Sequence, residues 1–213
     1  MNLKKGLIIG AGILVILGVA VTNGDGNKHS SSSSKKVEQV SKNFSKVDKT
    51  KEIENNFDKI NLGSNEGMSQ QEAEKLFGNP NLTSESEMEG QKTTLASWSG
   101  GKLGVSVSLT INFNNGHAVS KSIHGLKSNN KILLDDFNKI QNGISEAELM
   151  QQLGEPSGKT YTNISGARSS ELSYIGKGDL GANVSFLFTN GKLTNKAQTD
   201  YSRKKCVEYG KSI

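Results

Sequence analysis

Apolar positions recur along this chain in two periods, and each period occurs twice. Ile53, Phe57 and Ile60 are spaced four then three, as are Leu133, Phe137 and Ile140. That spacing puts each triplet on one face of a helix. A second helix is predicted after each triplet. Ser69-x-x-Glu72 and Ser145-x-x-Glu148 are capping boxes, in which the Ser and Glu side chains each satisfy a backbone N–H that the first turn leaves unpaired. Ile144, just before its cap, staples onto Leu149, whereas Met68 has only Ala73 opposite. Gly78 and Gly154 end these helices in a left-handed C-cap, and Pro80 and Pro156 block continuation. Then the period falls to two. Val105, Val107, Leu109, Ile111 and Phe113 alternate with polar residues, as do Val184, Phe186 and Phe188, which is the pattern of half-buried antiparallel strands. Asn115-Gly116 and Asn190-Gly191 are hairpin turns, with return strands over 118–123 and 193–199. Segments 95–98 and 172–175 supply a further strand in each half.

The halves are one unit written twice. Phe57, Ile60, Gly67, Ser69, Glu72, Gly78 and Pro80 align with Phe137, Ile140, Gly143, Ser145, Glu148, Gly154 and Pro156. Trp98 aligns with Tyr174 at an offset of 76 residues. A period this long is a duplicated domain unit, not a solenoid turn of roughly 20–50 residues. The expected fold class is α+β: two tandem helix-loop-helix plus antiparallel-sheet units, at 52–130 and 131–201. Two helices on one face of a sheet leave the other face wet. Two such units make a shaped surface, which points to a binding protein rather than an enzyme.

The N-terminal quarter follows neither period. Lys4-Lys5 precede an uncharged apolar run over 6–22, seventeen residues or about 25 Å as a helix, against a bilayer core of about 30 Å. Residues 1–22 read as a signal peptide or membrane anchor. No lipidation Cys follows the run, and Ala20-Val21-Thr22 is a weak cleavage site, so the anchor is the expected form. The lysines then keep the N-terminus in the cytoplasm and send the rest outside, giving a single-pass membrane protein with its domain outside, or a secreted one if the signal is cleaved. Residues 23–51, with Ser30–Ser34 and Lys35-Lys36, form a disordered Ser/Lys tether too polar to offset its ordering entropy. Residues 202–213 are a basic tail.

Charge and candidate chemistry narrow the function. The net charge is +5, but residues 57–213 carry 17 basic and 16 acidic side chains, so the folded part is near neutral and no nucleic-acid partner is expected. The single cysteine, Cys206, excludes an intrachain disulfide. His117 and His124 lack a zinc-ligand motif, no G-x-S-x-G elbow occurs, and Gly10-Ala-Gly12 lacks a third glycine. No catalytic, metal or cofactor residues are therefore assigned. Glu85, Glu87 and Glu89 alternate as a solvated strand edge would.

The tandem units of about 75 residues, with Gly67-Met68-Ser69…Gly78-x-Pro80 and Gly143-Ile144-Ser145…Gly154-x-Pro156, resemble the β-lactamase inhibitor protein fold. The short segment is also similar to small extracytoplasmic lipoproteins, including an outer-membrane assembly factor. The pattern resembles most a domain of unknown function in Gram-positive envelope proteins with this tandem architecture. The resemblance implies two sheets side by side gripping a protein partner. That family carries disulfides and an aromatic-rich surface, and this chain has neither. The expected function is an extracytoplasmic, membrane-tethered protein-binding module with an envelope or extracellular partner. The alternatives are an envelope hydrolase with an unrecognised site and an envelope-assembly or stress factor. By subtraction of the apolar rows, the partner face comprises Ser106, Ser108, Thr110, Ser185 and Leu187, flanked by Trp98 and Tyr174.

Overall fold

Both capping boxes start helices at the residues that encode them. The structure is a computed structural model and describes residues 49–199 apart from 101, 102, 105, 129 and 179. Helix α1 (Lys49–Asp58) turns Ile53 and Phe57 inward, and Ile60, just beyond its end, completes the stripe. Helix α2 (Gln70–Phe77) opens on Ser69: its hydroxyl accepts from the Glu72 N–H, and the Glu72 carboxylate accepts from the Ser69 N–H at 2.8 Å. Helices α3 (Leu134–Lys139) and α4 (Glu146–Leu153) repeat the arrangement, with Ser145 and Glu148 reciprocally bonded. These bonds from the Ser N–H groups hold both Glu carboxyls below their ordinary pKa. Gly78 and Gly154 close α2 and α4 at φ 83° and 81°. Their ψ angles of −171° and −166° differ from the expected left-handed helical cap. They carry the chain straight out toward the next strand, in a region that glycine alone enters easily.

Four strands follow each helix pair: β1 (Leu82–Met88), β2 (Gln91–Ser99), β3 (Ser108–Asn114) and β4 (His117–His124), then β5 (Gly158–Ile164), β6 (Ala167–Ile175), β7 (Asn183–Thr189) and β8 (Lys192–Thr199). Each of the four hairpins turns on two residues of positive φ, ending in glycine: Glu89-Gly90, Asn115-Gly116, Ser165-Gly166 and Asn190-Gly191. The strands form one antiparallel sheet in sequence order. The expected pair of adjoining sheets is thus a single sheet, because β4 pairs with β5 across the repeat boundary. Matching bulges fall at Asn112/Phe113 and Leu187/Phe188.

Alternation sends one row of each strand under the helices. Ala96, Trp98, Leu109, Ile111 and Phe113 pack with Phe57 and Phe77 in one cluster; Leu172, Tyr174, Val184, Phe186 and Phe188 pack with Phe137 and Leu149 in the other. Strand β5 joins the halves. Along its helix side, Lys159 pairs with Glu54 at 3.3 Å, the Tyr161 ring lies 6.1 Å from that of Phe57, and Asn163 donates to the Leu62 carbonyl at 2.8 Å. At its end the Ser165 N–H donates to Ser64 Oγ at 3.0 Å. The first strand of the second repeat is thereby held beneath α1 and its following loop.

The membrane expectations require correction. Among the described residues no helix is long and apolar enough to cross a membrane. The longest, α1, has ten residues, or about 15 Å, half a hydrocarbon core. The run at 6–22 lies outside the described residues, as do residues 23–48, Arg203-Lys204-Lys205 and Cys206. The expected membrane helix, anchoring through 6–22 and single-pass localisation thus have no membrane-spanning helix behind them among the described residues.

Candidate partner-binding face

One side of the sheet carries helices and the other carries none among the described residues. The ladder registers assign the uncovered side. Ser97 pairs with Thr110, Thr110 with Ser122, Ser122 with Thr160, Thr160 with Glu171, and Glu171 with Leu187. That row is mostly hydroxyl. Ser97 and Thr110 oxygens lie 3.2 Å apart, and those of Ser122 and Thr160 lie 2.8 Å apart. In the next row Thr162 donates to Ser120 at 3.3 Å. His124 Nε2 lies 2.8 Å from Ser122 Oγ, and burial lowers the pKa of its imidazole against the raising influence of Glu171. Short side chains bonded to their neighbours give a smooth face of low side-chain entropy.

Of the expected partner residues, Ser108, Thr110, Ser185 and Leu187 lie on this side, and Ser106 is exposed in the turn before β3. Trp98 and Tyr174 do not. They point under the helices, 2% and 0% exposed. The Trp98 indole N–H donates to the Gly78 carbonyl at 2.7 Å, and the Tyr174 hydroxyl donates to the Gly154 carbonyl at 3.1 Å. Each ring thus packs the core and satisfies the carbonyl left by the glycine that ends the second helix. Burial raises the Tyr174 pKa well above the ordinary phenol value.

Sequence reasoning overlooked a second duplicated device. Lys121 and Lys196 extend from β4 and β8 to the carbonyls ending the first helix of each repeat. Lys121 Nζ donates to Phe57 and Ile60 at 2.8 and 2.9 Å, and Lys196 Nζ to Phe137 and Ile140 at 2.8 and 2.6 Å. Each amine also lies over a Phe ring, at 4.6 Å from Phe57 and 4.8 Å from Phe137. The cations meet the negative end of a helix and a ring's π face at once. The available signal was a lysine on the apolar row of both return strands. Also missed were Leu82, Met88, Ile164 and Ile175, which are exposed on the uncovered side.

An open cleft of about 660 Å³ lies on the helix side of the repeat seam and brings together Asp58, Lys121, Glu146, Tyr161 and Arg168. Its central groups are committed to one another. Glu146 accepts from the Tyr161 hydroxyl at 3.3 Å and from the Ser170 hydroxyl, while Lys121 is held by its two carbonyls. Burial pushes Lys121 down to about 8, opposed by Asp58, and pushes Tyr161 up, assisted by Glu146. These bonds tie α4 to β5 and β6 and tie β4 to the end of α1, so the cleft's polar groups serve as scaffold. Among the described residues no group of His, Cys, Asp and Glu side chains is placed to hold a metal ion.

Comparison with known proteins agrees with this architecture. Residues 32–201 match the family described as a domain of unknown function with solved structure, DUF3862. A crystal structure of a candidate β-lactamase inhibitor protein from Streptococcus mutans matches over 71% of this chain and 97% of its own, at 21% identity and a TM-score of 0.57. At that identity the likeness is one of fold. No curated protein matches the chain.

Proposed function

This chain belongs to the DUF3862 family, and on that premise we propose that it is a non-enzymatic protein-binding module whose partner lies on the uncovered face of the sheet. The observation that carries the proposal is where exposed apolar groups fall. Of the seven large apolar side chains exposed among the described residues, Leu82, Met88, Ile164, Ile175 and Leu187 are on that face. A sheet that buries its aromatics under helices gains nothing in stability from leaving these outside, whereas an interface uses them as anchors in a polar field. Ser106, Ser108, Thr110 and Ser185 form part of that field. The buried Trp98 and Tyr174 stiffen the sheet from below.

The description of the Streptococcus mutans protein makes a β-lactamase the first partner to try. The test is calorimetric titration of a purified serine β-lactamase, and then of partners captured by the full chain. Leu187→Asp with Ile175→Asp should weaken binding at least tenfold, about 1.4 kcal/mol, with the melting temperature held within a few degrees. If binding survives this pair and is lost instead on altering the outward face of α2, the partner sits on the helix side and the proposal fails.

A further inference from the structure

Among the described residues each outermost strand is paired on one side only, whereas its equivalent in the other repeat is paired on both. β1 corresponds to β5: Leu82 faces Ser97 as Gly158 faces Ser173, at the same offset of 76. β8 corresponds to β4, since Lys196 repeats the carbonyl contacts of Lys121. Within the chain β4 pairs with β5, and α1 covers β5. Among the described residues β1 has no such cover: all seven of its residues are exposed, with Leu82 60% and Met88 78% accessible at its ends. We propose that a second copy of this chain docks its β1 along β8, repeating the β4–β5 junction between molecules and continuing the sheet.

Repeat equivalence supplies the register. Lys121 opposite Tyr161 becomes Lys196 opposite Glu85, and Ser120 opposite Thr162 becomes Asn195 opposite Ser86. Lys121 Nζ lies 5.6 Å from the Tyr161 ring inside the chain, and its equivalent Lys196 would meet the Glu85 carboxylate between chains, beside the Lys92 that already pairs with Glu85 at 3.0 Å. The edge charges favour this pairing over its rivals. β1 carries Glu85 and Glu87 with no basic residue, while β8 carries Lys192 and Lys196 with no acidic one. β1 against β1 opposes carboxylates, and β8 against β8 opposes ammoniums; only β1 against β8 joins opposite signs. The contact is head to tail, joining unlike edges, so it builds a row of copies rather than a two-fold dimer.

Sedimentation velocity of the full chain tests this, from about 1 µM to about 1 mM, with a reductant present so that Cys206 forms no disulfide. The expected result is a ladder of dimer, trimer and higher species that grows with concentration and shrinks as salt screens the edges. Glu85→Lys with Glu87→Lys, at exposed positions, should weaken association at least tenfold while leaving circular dichroism and melting unchanged. Mixed into the parent protein, this variant should shorten the ladder, because its β8 still joins but its β1 cannot extend the chain. A parent that stays monomeric throughout overturns the proposal. So does a ladder that stops at a dimer, or a variant that associates like the parent. None of these outcomes depends on the uncovered face binding a partner.

Discussion

Replacing Trp98 separates a core role from an interface role. The ring is 2% exposed, tilted against Phe77 with centroids 6.0 Å apart, and its N–H holds the Gly78 carbonyl at 2.7 Å. A buried tryptophan withdraws about 150–250 Å² from water, worth about 4–6 kcal/mol at ~25 cal/mol per Å². Alanine keeps a fraction of that area, and the orphaned carbonyl adds about 1 kcal/mol of cost. Trp98→Ala should therefore destabilise by about 4 kcal/mol, within the range for large aromatic deletions. For a domain near 150 residues that is a fall of about 8–16 °C in melting temperature. Trp98→Phe retains a ring and loses chiefly the hydrogen bond, so about 1.5–2 kcal/mol is expected. Urea unfolding of both variants, followed by fluorescence of the tyrosines and by circular dichroism, gives the two numbers. A Trp98→Ala protein that melts within about 2 °C of its parent yet loses partner binding would show the ring to be a contact residue and refute the reasoning.

Two further predictions concern single positions. Unfolded Lys121 titrates near 10.5 and the native group at about 8; between these values the unfolded chain binds more protons, so stability should rise with pH. Tyr161 and Tyr174, whose native pKa values are raised, reverse the trend above about pH 10. After discounting for partial solvation and the two carbonyls, a gain of about 1 kcal/mol is expected from pH 8 to pH 9.5, and Lys121→Met should flatten it in urea titrations. Gly67 and Gly143 align, but for different reasons: a Cβ on Gly67 would lie 2.1 Å from the Ala118 carbonyl oxygen, whereas Gly143 has φ 92° and open space. Gly67→Ala should cost about 3 kcal/mol and Gly143→Ala about 1 kcal/mol, and unfolding free energies in the reverse order would contradict this packing.

Much of the unit was legible in the sequence because its signals are local. A capping box is satisfied within four residues, as at Ser69–Glu72, and an Asn-Gly turn needs only its own φ angles. The alternation of β3 and β7 is equally local, so the core rows and helix starts were readable, and duplication made each reading twice as secure. Strand β1 showed only as the alternation of Glu85 and Glu87, for the opposite reason. It buries none of its residues, and an edge strand held by backbone bonds to one neighbour leaves no apolar period to read.

The placement of the rings could not be decided along the chain. Alternation says that Trp98 and Ser97 face opposite ways, and only the pairing of Trp98 with Leu109 says which way is inward. The same holds for Lys121 and Lys196, polar residues on an apolar row, whose helix-end carbonyls lie 64 and 59 positions away in sequence. The sequence determined the unit and its duplication, since these rest on propensities, caps and periods of a few residues. The tertiary structure decided that the two units share one sheet, that β5 of the second is gripped by the first, and which face stays open, because those outcomes depend on contacts between residues that are distant along the chain and adjacent only once it is folded.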